Sequence, residues 1–204
     1  MEKKLFYSFL SVLFVSLTIF LTISNQGKKV LVKKCKDLSY QDSYKLHPKF
    51  FSPVNIEIKF LPEKAWRRSL FKSEINAKNN QKVHNVKFYE RSARTDAIIT
   101  VKVDENIFCN LKARIRPQGL FDDHRDGTSI LPSLNVELKD GNIFGITKFY
   151  LFRPKTRAYN NEIISSLIFK HSGFLSLRVT KAHVKYNNQK IEYILQEDTA
   201  KEFL

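Results

Sequence analysis

Glycine is scarce in this chain, with six in 204 residues. A Walker loop or a G-x-G-x-x-G turn needs several glycines close together so that backbone N–H groups can approach phosphates, and neither motif occurs. There is no G-x-S-x-G elbow, and therefore no hydrolase nucleophile of that kind. Cysteine is scarcer still. Cys35 sits in a basic segment and Cys109 in an expected strand; one pair builds no disulfide framework, and the sequence leaves open whether the two are joined. His47, His84, His124, His171 and His183 are dispersed, and no His/Cys/Asp group has zinc-ligand spacing, so no metal is expected. Acids are outnumbered, 20 Asp and Glu against 35 Lys and Arg, which leaves a net charge of +15 and points away from cationic partners. Membrane surfaces, nucleotide phosphates, acidic polymers and nucleic acid remain.

Hydrophobic content of 43% and 17 Phe indicate a folded chain rather than a disordered one. The length suits one domain with something left for a tail or anchor. Leu5 to Ile23 carries no charge and is long enough to cross a bilayer core, which predicts an uncleaved N-terminal transmembrane anchor over 1–27. A removed signal peptide is the alternative, with Thr22-Ile23-Ser24 as its small-x-small site. Residues 28–53 read as a basic juxtamembrane linker in which Lys28, Lys29, Lys33, Lys34 and Lys36 can meet anionic headgroups. Those lysines favour a cytoplasmic domain by local charge. A leading anchor before a long domain favours export, and an extracytoplasmic, membrane-anchored placement is the expectation.

From Val54 the patterning changes to that of a folded domain. Val54 to Phe60 alternates as a half-buried strand; Pro62 opens a helix whose face is Ala65, Trp66, Leu70 and Phe71, closed by polar Asn76 to Lys82. Val83–Tyr89, Ala97–Val103, Ile107–Ile115 and Leu134–Leu138 alternate as strands, the second and third pairing about Asp104-Glu105-Asn106. A long polar connection lies between Arg116 and Leu131. Asp140-Gly141 signals a turn that pairs Leu134–Lys139 with Asn142–Phe152, and Val179–Tyr186 with Lys190–Leu195 form a last hairpin. Between these, Lys148–Phe152 is a strand stopped by Pro154, and Ala158–Gly173 a helix with an Ile163, Ile164, Leu167 and Ile168 stripe and Glu162 on the opposite side. Lys148, Arg153, Lys155 and Arg157 lead into that helix, a plausible phosphate or carboxylate seat. The fold class expected is α+β, a largely antiparallel sheet with one major helix packed on it.

Several of these residues fall into an ordered set: Arg116-Pro117-Gln118-Gly119, Asp123-His124, Leu138-Lys139, Gly145 with Lys148-Phe149, Pro154 and Arg157, Asn161-Glu162, and Tyr193-Ile194-Leu195-Gln196-Glu197. In that order they resemble the amino-terminal part of the CotH-type family of atypical protein kinases, named for a spore-coat kinase, over 54–204. The resemblance implies a kinase N-lobe-like domain that binds ATP with Mg, in which Lys148 pairs with Glu162, Arg153 and Arg157 hold phosphate oxygens, and Gln196 and Glu197 stand at the adenine hinge. Arg116, Gly119, Asp123 and His124 are its loop candidates. In kinase-like folds the catalytic base and metal-binding acids come from the second lobe, so the chain is expected to be a lobe truncated before catalysis or completed by a second polypeptide. The alternative function is a cell-envelope module binding acidic proteins, phosphate-bearing ligands or lipid. Nucleic acid is the least expected partner, because no recognised motif accompanies the charge.

Overall fold

The computed structural model describes residues 53–198 apart from 91, 105–106, 122–123, 126–130 and 144. Seven strands, β1 (Val54–Leu61), β2 (Thr95–Asp104), β3 (Ile107–Pro117), β4 (Leu134–Leu138), β5 (Lys148–Phe152), β6 (Val179–Tyr186) and β7 (Gln189–Glu197), accompany helices α1 (Glu63–His84) and α2 (Asn161–His171) and a 3-10 turn at Pro154–Arg157. The strands close into a barrel in the order β1-β2-β3-β4-β5-β7-β6. All pairings are antiparallel except β1 with β6, which run parallel from Val54↔Ala182 to Glu57↔Lys185.

That last pairing overturns the expected sheet with one major helix, and with it the kinase N-lobe-like architecture. Strand patterns and hairpin turns are local, whereas closure joins the first strand to the sixth and has no local signature. A closed barrel also has no open edge. Nor is the helix after β5 the larger one: α1 has 22 residues and α2 has 11. Among the described residues no helix is long and apolar enough to cross a membrane. The expected anchor, 1–27, lies outside the described residues, as does the linker up to residue 52.

The inward side chains follow from period two. Val54, Ile56, Ile58 and Phe60 of β1 are buried and alternate with exposed Asn55, Glu57, Lys59 and Leu61. Ile99 and Val101, Leu111 and Ile115, Leu134 and Val136, Phe149 and Leu151, Val184, and Tyr193 with Leu195 complete the filling from the other strands. Side chains from all seven strands thus line the interior of a narrow barrel.

Helix α1 plugs one end. Trp66 is wholly buried and stacks on Phe60 at 4.0 Å with 7° between the rings, while Tyr186 meets Phe60 edge-on at 5.6 Å. The sequence closes this helix over Asn76–Lys82 and places a strand at Val83–Tyr89; instead the helix continues to His84, and Asn85, at φ 60, ends it by donating its N–H to Gln81 O. Burial of Ser73 and Ala77 keeps the polar tail helical, and Tyr89 returns to the core as an irregular segment, its N–H donating to Leu120 O at 2.7 Å. Tertiary packing overrides weak propensity here.

Tyr193 provides a pH test of this core. Its hydroxyl donates toward Leu131 O at 3.0 Å and Pro132 O at 3.1 Å. Burial pushes its pKa far above the ordinary tyrosine value, against the opposing pull of Arg153. A raised folded pKa contributes stability that is complete below about pH 10 and is lost as pH rises beyond it. Alkaline absorbance titration is therefore expected to leave Tyr193 un-ionised until the barrel unfolds, after Tyr150 and Tyr186, which are also raised, and Tyr193→Phe to reduce by one the tyrosines that ionise only on unfolding. An unchanged number of tyrosines ionising on unfolding in Tyr193→Phe contradicts the assignment.

Candidate anion-binding face

The alternation of β5 sends Phe149 and Leu151 inward and Lys148, Tyr150 and Phe152 outward. Register then sets their neighbours. Across β3, β4 and β5 one outer row is Arg114, Glu137 and Lys148; the next is Arg116, Asn135 and Tyr150, continued on β7 by Gln196.

In the first row a single carboxylate is crowded by cations. Glu137 is bonded by Arg94, which arches over β4, and by Lys139 at 3.0 Å. Arg94 also donates to the buried Asn135 Oδ1 at 3.0 Å. Arg114 and Lys148 flank Glu137 in register, and Asp96 pairs with Arg114 from β2. Lys139 holds its proton less firmly than an ordinary lysine, first through desolvation and then through the positive charges of Arg114, Arg94 and Lys148, with Asp96 opposing. The local field is net positive, although Glu137 sits at its centre.

The second row is half-buried. Tyr150 donates to Asp198 Oδ1 at 3.0 Å, and its pKa is raised by burial and then by Asp198, with Arg116 pulling it down. Phe152 stacks on Tyr150 at 5.1 Å and organises the loops beyond: the Arg157 guanidinium lies 3.8 Å from its ring and the His124 ring 5.8 Å away. Buried Ser133 ties those loops together, donating its N–H to His124 O at 2.9 Å, accepting Gln118 N–H at its carbonyl at 2.7 Å and Arg153 N–H at its hydroxyl at 3.0 Å. Gly119, at φ 92, lies so close to His124 that a Cβ would stand 2.1 Å from that ring.

Of the residues singled out by sequence, Gly119 and His124 are in contact, Arg157 joins His124 around Phe152, and Arg116 shares a row with Gln196. Asp123 lies outside the described residues. Arg153 reaches the other way, its guanidinium 5.5 Å from the Tyr193 ring. Glu197 is engaged by Arg178, which donates Nε to Oε2 at 2.8 Å and its backbone N–H to the same oxygen at 3.3 Å. Lys148 and Glu162 form no ion pair. Lys148 stands at the start of β5 beside Glu137, whereas Ile163, the neighbour of Glu162, packs on Phe152 at the strand's far end, about 13 Å along it. The stripe expected on α2 is also split: Ile163 and Leu167 are half-covered, while Ile164 and Ile168 are exposed, because the helix rests on the convex outside of the barrel by one flank.

Sequence reasoning missed Arg94, Arg114, Glu137 and Lys139 as a group, and Arg178 as the partner of Glu197. One signal was available. Lys112, Arg114 and Arg116 alternate with Ala113 and Ile115, a cationic outer face on an otherwise core strand. Among the described residues no cluster of His, Cys, Asp or Glu is arranged to hold a metal. Compared with protein-family models, curated proteins and solved structures, the chain has no match in any of the three.

Proposed function

We propose that this domain is a binding module for extended phosphate-bearing polyanions, engaged through the outer face of β3, β4 and β5. One observation carries the reading: Arg94 and Lys139 both bond Glu137, and Arg114 and Lys148 stand beside it in register on the two neighbouring strands, so four cations surround one carboxylate. Arg114 and Lys148 lie two strands apart, about 10 Å, on an open surface. Such spacing suits a chain of phosphates better than a single one. Guanidinium and ammonium groups bind phosphate oxygens by charge-assisted hydrogen bonds, and exposed pairs of this kind weaken as salt screens them.

Titrating inorganic polyphosphate into the full chain by calorimetry tests this. Arg114→Gln with Lys148→Gln is expected to weaken binding by about tenfold or more, the effect of losing roughly 1.4 kcal/mol. Lys59→Gln, on outward-facing β1, is expected to leave it unchanged. An affinity that ignores the double substitution, or that stays constant between about 50 and about 500 mM salt, would sink the proposal.

The module is placed outside the cytoplasm, at the cell envelope. Cys109 is buried and disulfide-bonded. Such bonds persist in oxidising compartments and are rare in the cytosol. Reduction is expected to cost about 2–4 kcal/mol of stability, and Cys109→Ser to melt lower and to be indifferent to reductant. A midpoint that does not move on reduction removes this support.

A further inference from the structure

Helix α2 touches the barrel on one flank and leaves the other bare. Ile163 and Leu177 pack on Phe152, Val179 and Ile194. Outside that contact, Ile164 is 51% exposed, Ile168 60%, Phe169 55%, and on the returning chain Phe174 65% and Leu175 85%. The ridge is well tied. Ser166 Oγ donates to Leu177 O at 2.6 Å, Ser176 Oγ donates to Ser166 O at 2.8 Å, Phe174 N–H donates to Phe169 O at 3.0 Å, and the two phenyl rings meet edge to face at 6.2 Å. Contiguous apolar surface of this kind, held out into water, marks an interaction site more often than chance exposure does. Between Pro154 and Leu177 the cations Lys155, Arg157 and Lys170 face one acid, Glu162.

We propose that this ridge inserts into the headgroup region of an anionic lipid bilayer. Charge selects the occupant. A second copy would bring another chain of net charge +15, with the same basic flanks, whereas an anionic bilayer complements Lys155 and Lys170. Shape agrees, since exposure climbs to 85% at Leu175 on a convex tip, which enters lipid without needing a matching groove. Tyr159, 63% exposed at the other end of the ridge, has the amphipathic ring that settles at headgroup level. This inference is independent of the polyanion reading, which uses Arg114 and Lys148, the latter at the opposite end of β5 from the Phe152 contact of α2.

A local reporter tests it, because the uncharged Leu5–Ile23 stretch can by itself carry the chain to vesicles. Leu175→Trp is introduced into the full chain, Trp66 being buried and constant, and mixed with vesicles of phosphatidylcholine alone or with phosphatidylglycerol. With anionic vesicles the new indole is expected to shift to the blue and to be quenched by acyl-brominated lipid at least about twofold more than with neutral ones. Adding Lys155→Glu and Lys170→Glu is expected to abolish that difference. A vesicle-bound chain whose indole stays unquenched overturns the inference, as does equal quenching on neutral vesicles. A blue shift that rises with protein concentration in the absence of lipid also overturns it, in favour of a second copy.

Discussion

Truncating Trp66 to alanine is expected to lower the unfolding free energy by about 3–5 kcal/mol, the usual cost of emptying a large aromatic site in a packed core. The indole is wholly buried, lies parallel to Phe60 at 4.0 Å, and joins α1 to the barrel end. Its Nε1 is buried without a hydrogen-bond partner, so the ring rather than its N–H supplies the stability. Trp66→Phe keeps most of the stack and deletes the unpaired donor, and is expected to cost about 1.5 kcal/mol or less. Urea unfolding with an unchanged slope measures both. A Trp66→Ala loss below about 1 kcal/mol, within the range of ordinary surface substitutions, would mean that α1 does not plug the barrel.

Gly119→Ala is the second large effect, about 2–6 kcal/mol. Roughly 1–3 kcal/mol comes from a side chain forced into a left-handed backbone and a similar amount from overpacking. At φ 92 the new Cβ would stand 2.1 Å from the His124 ring and 2.5 Å from its Cβ, too near the His124 backbone for a rotamer change to relieve. The ring's share of the clash is separable from the rest, since His124→Ala removes the ring and keeps the Cβ contact at 2.5 Å. In a His124→Ala background the same substitution is expected to cost about 1–3 kcal/mol less, and a double-mutant cycle reads that coupling directly. Additivity of the two changes would show that the loop does not hold glycine against histidine. Because the same loop carries His124 toward Phe152 and Arg157, Gly119→Ala is also expected to disturb the half-buried row that ends at Gln196.

Much of this was legible residue by residue. β4 and β6 start and stop where alternation places them and β1 runs one residue past Phe60; Trp66 is core, but Ala65 and Phe71 of the face read for α1 are exposed. Turn chemistry found the β2–β3, β4–β5 and β6–β7 pairs. The errors have a common cause. α1 outran its apolar pattern because Ser73 and Ala77 are buried by distant chain, and Glu197 was committed to Arg178 across a strand pair. Lys148 stands in register beside Glu137 and not with Glu162, the nearest acid along the following helix. Motif order therefore located a strand and misjudged its neighbours. The resemblance to a kinase lobe rested on that order, while barrel closure is decided elsewhere.

By itself, then, the amino-acid order determined a basic chain, its strands, its tight turns and the identity of most inward side chains, since these depend on periods of two and 3.6 and on residues within a few positions. Tertiary structure alone decided that β1 lies beside β6, that Arg94 and Lys139 bond Glu137 between Arg114 and Lys148, and that half of the α2 stripe faces water. Each of these depends on contacts between segments far apart in the chain, whose free energy comes from burial and charge in three dimensions and leaves no periodic trace in one.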